Sequence, residues 1–102
     1  MRPVVWSIEA QRDNLEILRH IAEDNPFAAE RVVDAIEDAG NKLGEFATGR
    51  PGRVAGTYEK PVKVLPYILA YAIAAPSGRA EQVVILRVIH TSRDWPPEGW
   101  PA

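Results

Sequence analysis

Cysteine is absent from this chain, which removes disulfides, thiolate catalysis and cysteine-ligated zinc in one step. The two histidines, His20 and His90, lie far apart in sequence and no His-Glu-x-x-His occurs, so no metal centre is expected. No glycine loop ends in Gly-Lys-Ser or Gly-Lys-Thr to cradle nucleotide phosphates, and neither a cofactor nor a small-molecule substrate is implied. Long apolar runs are missing as well. Nothing approaches the ~20 residues of a membrane span, and Met1 to Trp6 lacks the apolar stretch of a signal peptide. Together these gaps point to a cytoplasmic protein with no membrane role.

What remains is enough for one domain, residues 1–102, and too little for two. With 46% hydrophobic and 25% charged residues and no low-complexity tract, a packed globule is expected rather than disorder. Ordering each residue costs roughly 1.5 kcal/mol, so a core this small leaves a thin margin to which a partner can contribute. The net charge of −2 conceals a polarity. Residues 1–49 hold five Lys/Arg against ten Asp/Glu, net −5, whereas residues 50–102 hold seven against four, net +3. An acidic half and a basic half imply opposite potentials on two surfaces, the basic one suited to phosphates or to an acidic partner.

Pro3 to Trp6 reads as a short strand, with Ser7 placed to cap a helix from Ile8 to about Asp24. The apolar residues of that helix (Ile8, Leu15, Ile17, Leu18, Ile21, Ala22) fan over half its circumference, a wider stripe than one neighbour needs. Asn25-Pro26 stops this helix and starts a second, giving a helical hairpin. In the second helix Ala29, Val32, Ala35, Ile36, Ala39, Leu43 and Phe46 share one face opposite a run of charges, and Gly40 lies within the apolar half, where it permits close approach.

Thr48 to Gly52 reads as a loop, and the rest as β: short runs at Arg53 to Ala55 and Glu59 to Val64, then Tyr67 to Ala74 and Gln82 to His90 joined by a turn at Pro76-Ser77-Gly78. Strict alternation puts Tyr67, Leu69, Tyr71 and Ile73 opposite Ile68, Ala70, Ala72 and Ala74, and Val83, Ile85 and Ile89 opposite Val84, Leu86 and Val88. Both faces of this hairpin are apolar, while one helical hairpin covers one face. The far face is therefore expected to need the tail, with Trp95 and Trp100, or another protein.

Four stretches appear in order on these elements: W-S-x-x-A (Trp6 to Ala10), R-P-G-R-V-x-G-T-x-E (Arg50 to Glu59), P-Y-I-L-x-Y (Pro66 to Tyr71), and I-L-R-V-I-H with a following R-D-W (Ile85 to Trp95). Over nearly the whole chain this pattern resembles ParE-type toxins of the ParE/RelE superfamily of type II toxin–antitoxin systems. The resemblance implies an α/β (α+β) fold, an N-terminal strand and two-helix hairpin packed on a twisted, mainly antiparallel sheet. It also implies poisoning of DNA gyrase and neutralisation by a ParD-type antitoxin. The RelE branch shares the fold but cleaves messenger RNA on the ribosome.

Ribonuclease chemistry needs a base for the 2′-hydroxyl, an acid for the leaving oxygen and cations near the phosphate. Candidates are Arg53, Tyr58, Lys60, Lys63, Arg87, His90 and Arg93, with Arg53, Arg87 and His90 the set a nuclease would use. Arg87 and His90 stand three apart on a strand, which places them on opposite faces unless a bulge intervenes. No tyrosine follows Tyr71, and a pI near 5.6 disfavours phosphate-dominated binding to RNA. The expectation is thus an inhibitor that acts by binding, with no catalytic residue assigned. Arg50, Arg53, Arg87, His90 and Arg93 would face the target, and Leu18, Ile21, Ala22 and Tyr71 would line an antitoxin groove. A ribosome-dependent nuclease and a non-toxic interaction module stand as alternatives, and a structural ion pair for Arg87 or a structural hydrogen bond for His90 competes with each functional role.

Overall fold

The computed structural model describes residues 1–92. Val4–Trp6 forms β1, Ile8–Ala22 α1, Pro26–Lys42 α2, Arg50–Pro51 β2, Tyr58–Pro61 β3, Tyr67–Ala74 β4 and Gln82–His90 β5, with a 3-10 turn at Pro76–Gly78. The strands make one sheet in the order β1-β5-β4-β3-β2, antiparallel except where β1 runs parallel to β5. The expected α+β arrangement of a helical hairpin on a mainly antiparallel sheet is what the chain adopts. Trp95, Trp100 and Arg93 lie outside the described residues.

Both helices start where side-chain acceptors satisfy their first amides. Ser7 Oγ accepts from Ala10 N–H at 3.0 Å and Asn25 Oδ1 from Ala28 N–H at 3.1 Å, with Pro26 opening α2. Helix α1 ends at Ala22, short of Asp24, because the amides of Asp24 and Asn25 both turn back to Ile21 O (3.1 and 2.9 Å) and leave Asn25 extended before the proline. The hairpin lies on one sheet face. Ala10 of α1, Ile36 of α2 and Leu43 just beyond it pack with Tyr67, Leu69, Tyr71, Val83, Ile85 and Val88 in a single core. Gly40 makes its close approach to the β1 side chain Trp6 rather than to the other helix. A Cβ on Gly40 would collide with the indole ring, whose Nε1 donates to Asn41 Oδ1 at 3.0 Å.

Three sequence expectations change. First, β5 carries a β-bulge: Arg87 pairs with Ala70 but Ile85 with Tyr71, so Leu86 is the extra residue. The bulge reverses the alternation, and Val88 joins Val83 and Ile85 in the core while Ile89 turns to the other face. Second, the expected strand at Arg53 to Ala55 is a turn, closed by Gly52 N–H to Thr57 O (2.8 Å) and Thr57 N–H to Val54 O (3.1 Å). The extended residues are instead Arg50–Pro51, inside the segment expected to be loop. Strand β3 stops at Pro61, which has no amide to donate. Third, the far sheet face is not bare. Ile68, Ala70 and Ile89 are at most 8% exposed, and Val54 of the turn packs against Ala70 and Ile89, whereas Ala72, Ala74 and Val84 stay half-buried.

Gly40→Ala tests the indole contact. Alanine is the better helix former by up to about 1 kcal/mol, but the overlap with Trp6 costs about 1–3 kcal/mol, so the urea midpoint should fall. On a Trp6→Leu background the same change should cost less; an equal loss in both backgrounds would remove the ring as the cause.

Candidate functional site

Strand β1 accompanies β5 only as far as Ile85, whose carbonyl takes Ser7 N–H at 2.9 Å. Beyond it the polar groups of β5 on that edge need other partners. Helix α1 supplies them. Ser7 Oγ donates to Leu86 O at 2.9 Å, and Asp13 Oδ2 accepts Val88 N–H at 2.9 Å. The same carboxylate holds the Arg87 guanidinium, with Nε at 2.8 Å and Nη2 at 3.1 Å. Asp13 is buried, and its hydrogen bond is the main force pushing the Arg87 guanidinium further up from its already high value, against the effect of burial. No sequence motif singles out Asp13, yet a signal is present: it sits three residues after Ala10 and four before Ile17, on the core-facing stripe of α1, where a carboxylate needs a partner.

Arg87 and His90 do not converge. The bulge lies before both, so the ladder between them is regular, Arg87 opposite Ala70 and His90 opposite Tyr67, on opposite faces. His90 sets its ring edge-on to Tyr67, centroids 5.3 Å apart, and Nδ1 accepts Ser92 N–H at 3.1 Å with Ser92 Oγ at 2.7 Å. A backbone amide only donates, so Nδ1 is the acceptor in that bond. Burial pushes the Tyr67 phenol up, away from the role of a base.

The arginines of the β2–β3 turn meet at another carboxylate. Glu59 is 2% exposed; Oε2 accepts Arg53 N–H at 2.9 Å and stands 3.7 Å from Arg53 Nε, while Oε1 is 3.5 Å from Arg50 Nη2. Both guanidinium side chains remain well exposed, 61% for Arg50 and 48% for Arg53. Arg50, Glu59, Ala70 and Arg87 are successive partners across β2, β3, β4 and β5, hence one row on the far face.

On the opposite side of the molecule the helices part into an open groove of about 650 Å³. Gln11, Asn14, Leu15 and Leu18 of α1 face Val33 and Glu37 of α2, with Trp6 and Asn41 also lining it. Spacings of three and four residues put Ile8, Gln11, Leu15 and Leu18 in one row, and Ile8 and Leu15 are 64% and 50% exposed, so the apolar stripe of α1 does exceed what the core covers. Asn14 is buried, and its Oδ1 accepts no hydrogen bond from the described residues. Of the residues expected to form an antitoxin groove, Leu18 lines it, while Ile21 and Ala22 are half-buried outside its lining. Tyr71 does not join them. It is 1% exposed, donates to Thr48 O at 2.6 Å and stacks on Tyr58 at 5.4 Å, because β4 is the central strand beneath the helices.

Residues 4–95 match the family described as the ParE toxin of the type II toxin–antitoxin system parDE. The chain is 40% identical over 92 residues to toxin Y4kP of Sinorhizobium fredii, covering 89% of this chain and 90% of that protein. It is 33% identical over 94 residues to toxin RelE2 of Caulobacter vibrioides, covering 91% and 99%. A chain of the chromosomal ParDE toxin–antitoxin system of P. aeruginosa shares the fold, with a TM-score of 0.78 at 22% identity over 88% of this chain and 96% of that one.

Asp13→Ala should strip Arg87 and Val88 N–H of their acceptor and cost about 2–4 kcal/mol in urea unfolding. Combining it with Arg87→Ala should recover part of that loss. Additive losses would mean that the ion pair is not the coupling.

Proposed function

The chain belongs to the ParE toxins and is the toxin component of a type II toxin–antitoxin system; from that premise we propose that it acts in the cytoplasm by binding DNA gyrase and is neutralised by a ParD-type antitoxin. The observation that carries binding over cleavage is the state of Arg87 and His90, the best pair for cutting RNA. One is clamped by Asp13, the other offers Nδ1 to Ser92, and they stand on opposite faces of the sheet. Without a shared locus they supply neither a proton relay nor a paired clamp for one phosphate.

The surfaces divide the work. Of the residues assigned to the target, Arg50, Arg53 and Arg87 share the far face of the sheet, Arg50 and Arg53 with the more exposed side chains, whereas His90 stands on the other face and Arg93 lies outside the described residues. The antitoxin side is the groove between α1 and α2, where an amphipathic segment would lay apolar side chains along Leu15, Leu18 and Val33. Ile21 and Ala22 extend that stripe toward the end of α1.

In a supercoiling reaction the folded chain should trap cleaved DNA on gyrase, and added antitoxin should reverse the effect. Unchanged supercoiling at saturating toxin would sink the gyrase assignment, and cut messages in a translation extract would replace it with a nuclease. Expression without antitoxin should arrest growth; unaffected growth would favour a non-toxic interaction module. Leu18→Glu should weaken antitoxin binding at least tenfold, about 1.4 kcal/mol, and leave gyrase inhibition intact.

A further inference from the structure

Helices α1 and α2 leave their shared groove with an excess of hydrogen-bond acceptors. Asn14 lines it, is 8% exposed, and its side chain makes no hydrogen bond with the described residues, its oxygen included. A buried amide without partners costs stability that donors from outside can restore, and since no bond fixes its two ends, a half-turn about Cβ–Cγ brings the oxygen to whichever donor enters. One turn earlier on α1, Gln11 Nε2 donates to Trp6 O at 2.9 Å, which leaves Oε1 as its unused acceptor. From α2 comes Glu37, an exposed carboxylate that joins no ion pair among the described residues and is the one ionisable group among the described residues of the lining. Arg12 and Arg19 of α1 are exposed, and neither lines the groove. Only Asn41 offers donors, because its oxygen takes Trp6 Nε1, and it stands at the end next to β1. In the helical hairpin, residues about equally far from the Asn25 turn lie side by side, which sets Gln11 level with Glu37 and Leu15 level with Val33.

Three acceptors from two helices, one of them charged, with leucines alongside, suit a guanidinium. It donates through a planar fork, stays charged, and has an aliphatic stem that rests on apolar neighbours. An all-apolar occupant would leave Asn14 unpartnered and strip water from Glu37 without compensation. An acidic occupant would meet a half-chain, residues 1–49, of net charge −5. We propose that the middle of this groove is an arginine socket: the antitoxin segment lying along α1 and α2 sets one arginine side chain among Asn14, Gln11 and Glu37. Its guanidinium donates to the two amide oxygens and the carboxylate, and its stem lies against Leu15. The proposal rests on the reading of the groove as the antitoxin's and deepens it by naming a side chain that antitoxin must present. Leu15, Leu18 and Val33 hold any amphipathic segment, whereas Asn14, Gln11 and Glu37 select among such segments.

The probe is a set of labelled helical peptides with leucines three and four residues either side of one central position, which is Arg, Lys, Met or Glu. Each is titrated with the full chain and followed by anisotropy. The Arg peptide should bind roughly three- to tenfold tighter than the Met peptide, with Lys between them and Glu weakest. Glu37→Gln and Asn14→Leu should each cancel most of the Arg-over-Met preference while Met-peptide binding holds or tightens; a merely structural role would lower all four affinities together. Asp34→Asn, which removes the same charge from α2 outside the lining, should leave the preference unchanged. Asn14→Leu keeps the side-chain shape and discards an unsatisfied oxygen, so its thermal melt should hold or rise, and if it does not fold Glu37→Gln decides alone. Arg binding no tighter than Met, a preference that survives Glu37→Gln, or an equal loss in Asp34→Asn overturns the proposal. If Leu18→Glu weakens the antitoxin but Glu37→Gln and Asn14→Leu do not, the groove holds an antitoxin without an arginine there, and the proposal fails with the groove reading standing. If Leu18→Glu leaves the antitoxin unaffected while the peptide preference depends on Glu37 and Asn14, the arginine socket stands and the groove is not the antitoxin's. A dimer of the chain alone that Glu37→Gln dissociates would give the socket to a second copy and overturn the choice of antitoxin.

Discussion

Strand β5 outruns its parallel neighbour, and the fold depends on how helix α1 repairs the exposed edge that results. A serine hydroxyl and a buried carboxylate take the places of a missing strand, meeting Leu86 O and Val88 N–H where β1 has ended. Both side chains come from the start of α1: Ser7 is its cap and Asp13 lies on its second turn. The cap, the bulge and the ion pair are therefore a single construction. If α1 were shifted by one residue along its axis, the cap would lose Leu86 and the carboxylate would lose both the amide and the guanidinium. Buried ion pairs contribute little net stability compared with a well-packed apolar core, but removing one partner is costly, and such pairs serve well to exclude alternative registers.

The bulge also decides what each face of the sheet contains. Reversing the alternation after Ile85 sends Val88 inward with Leu69 and directs Ile89 to the far side with Ala70, where Val54 covers them. The far side is consequently a mixture: a small apolar patch closed by the β2–β3 turn, crossed at Ala70 by the row Arg50, Glu59, Ala70 and Arg87. Two buried carboxylates, Asp13 and Glu59, organise three arginines among the described residues. They differ in consequence, since Asp13 locks its arginine to α1 whereas the two arginines at Glu59 keep side chains 61% and 48% exposed.

The charge polarity of the chain becomes spatial through this arrangement. The acidic half is the helical hairpin, whose outer groove mixes apolar Trp6, Leu15, Leu18 and Val33 with polar Gln11, Glu37 and Asn41, beside a buried amide, Asn14, whose oxygen accepts no hydrogen bond from the described residues. The basic half supplies β2 to β5, and four of its cations, Arg50, Arg53, Lys60 and Lys63, fall in or beside β2 and β3, at the sheet edge farthest from β1.

Much of this was legible from residues alone, because local patterns have local causes. Ser7 and Asn25-Pro26 announce the helices, the apolar runs announce β4 and β5, and the excess stripe of α1 announces an uncovered surface at Ile8 and Leu15. Gly40 likewise marks a close approach, although the sequence does not say that the neighbour is Trp6. Long-range partners had no such local cause. Strict alternation placed Val88 and Ile89 on the wrong faces, since a bulge is stabilised by Ser7 and Asp13, more than seventy positions away. The burial of Tyr71 follows from the central place of β4, and the convergence of Arg50 and Arg53 follows from a carboxylate that only the β2–β3 pairing brings beneath them. Hydrophobic period and capping are properties of neighbours along the chain; register, edge repair and the pairing of buried charge exist only once distant segments have met.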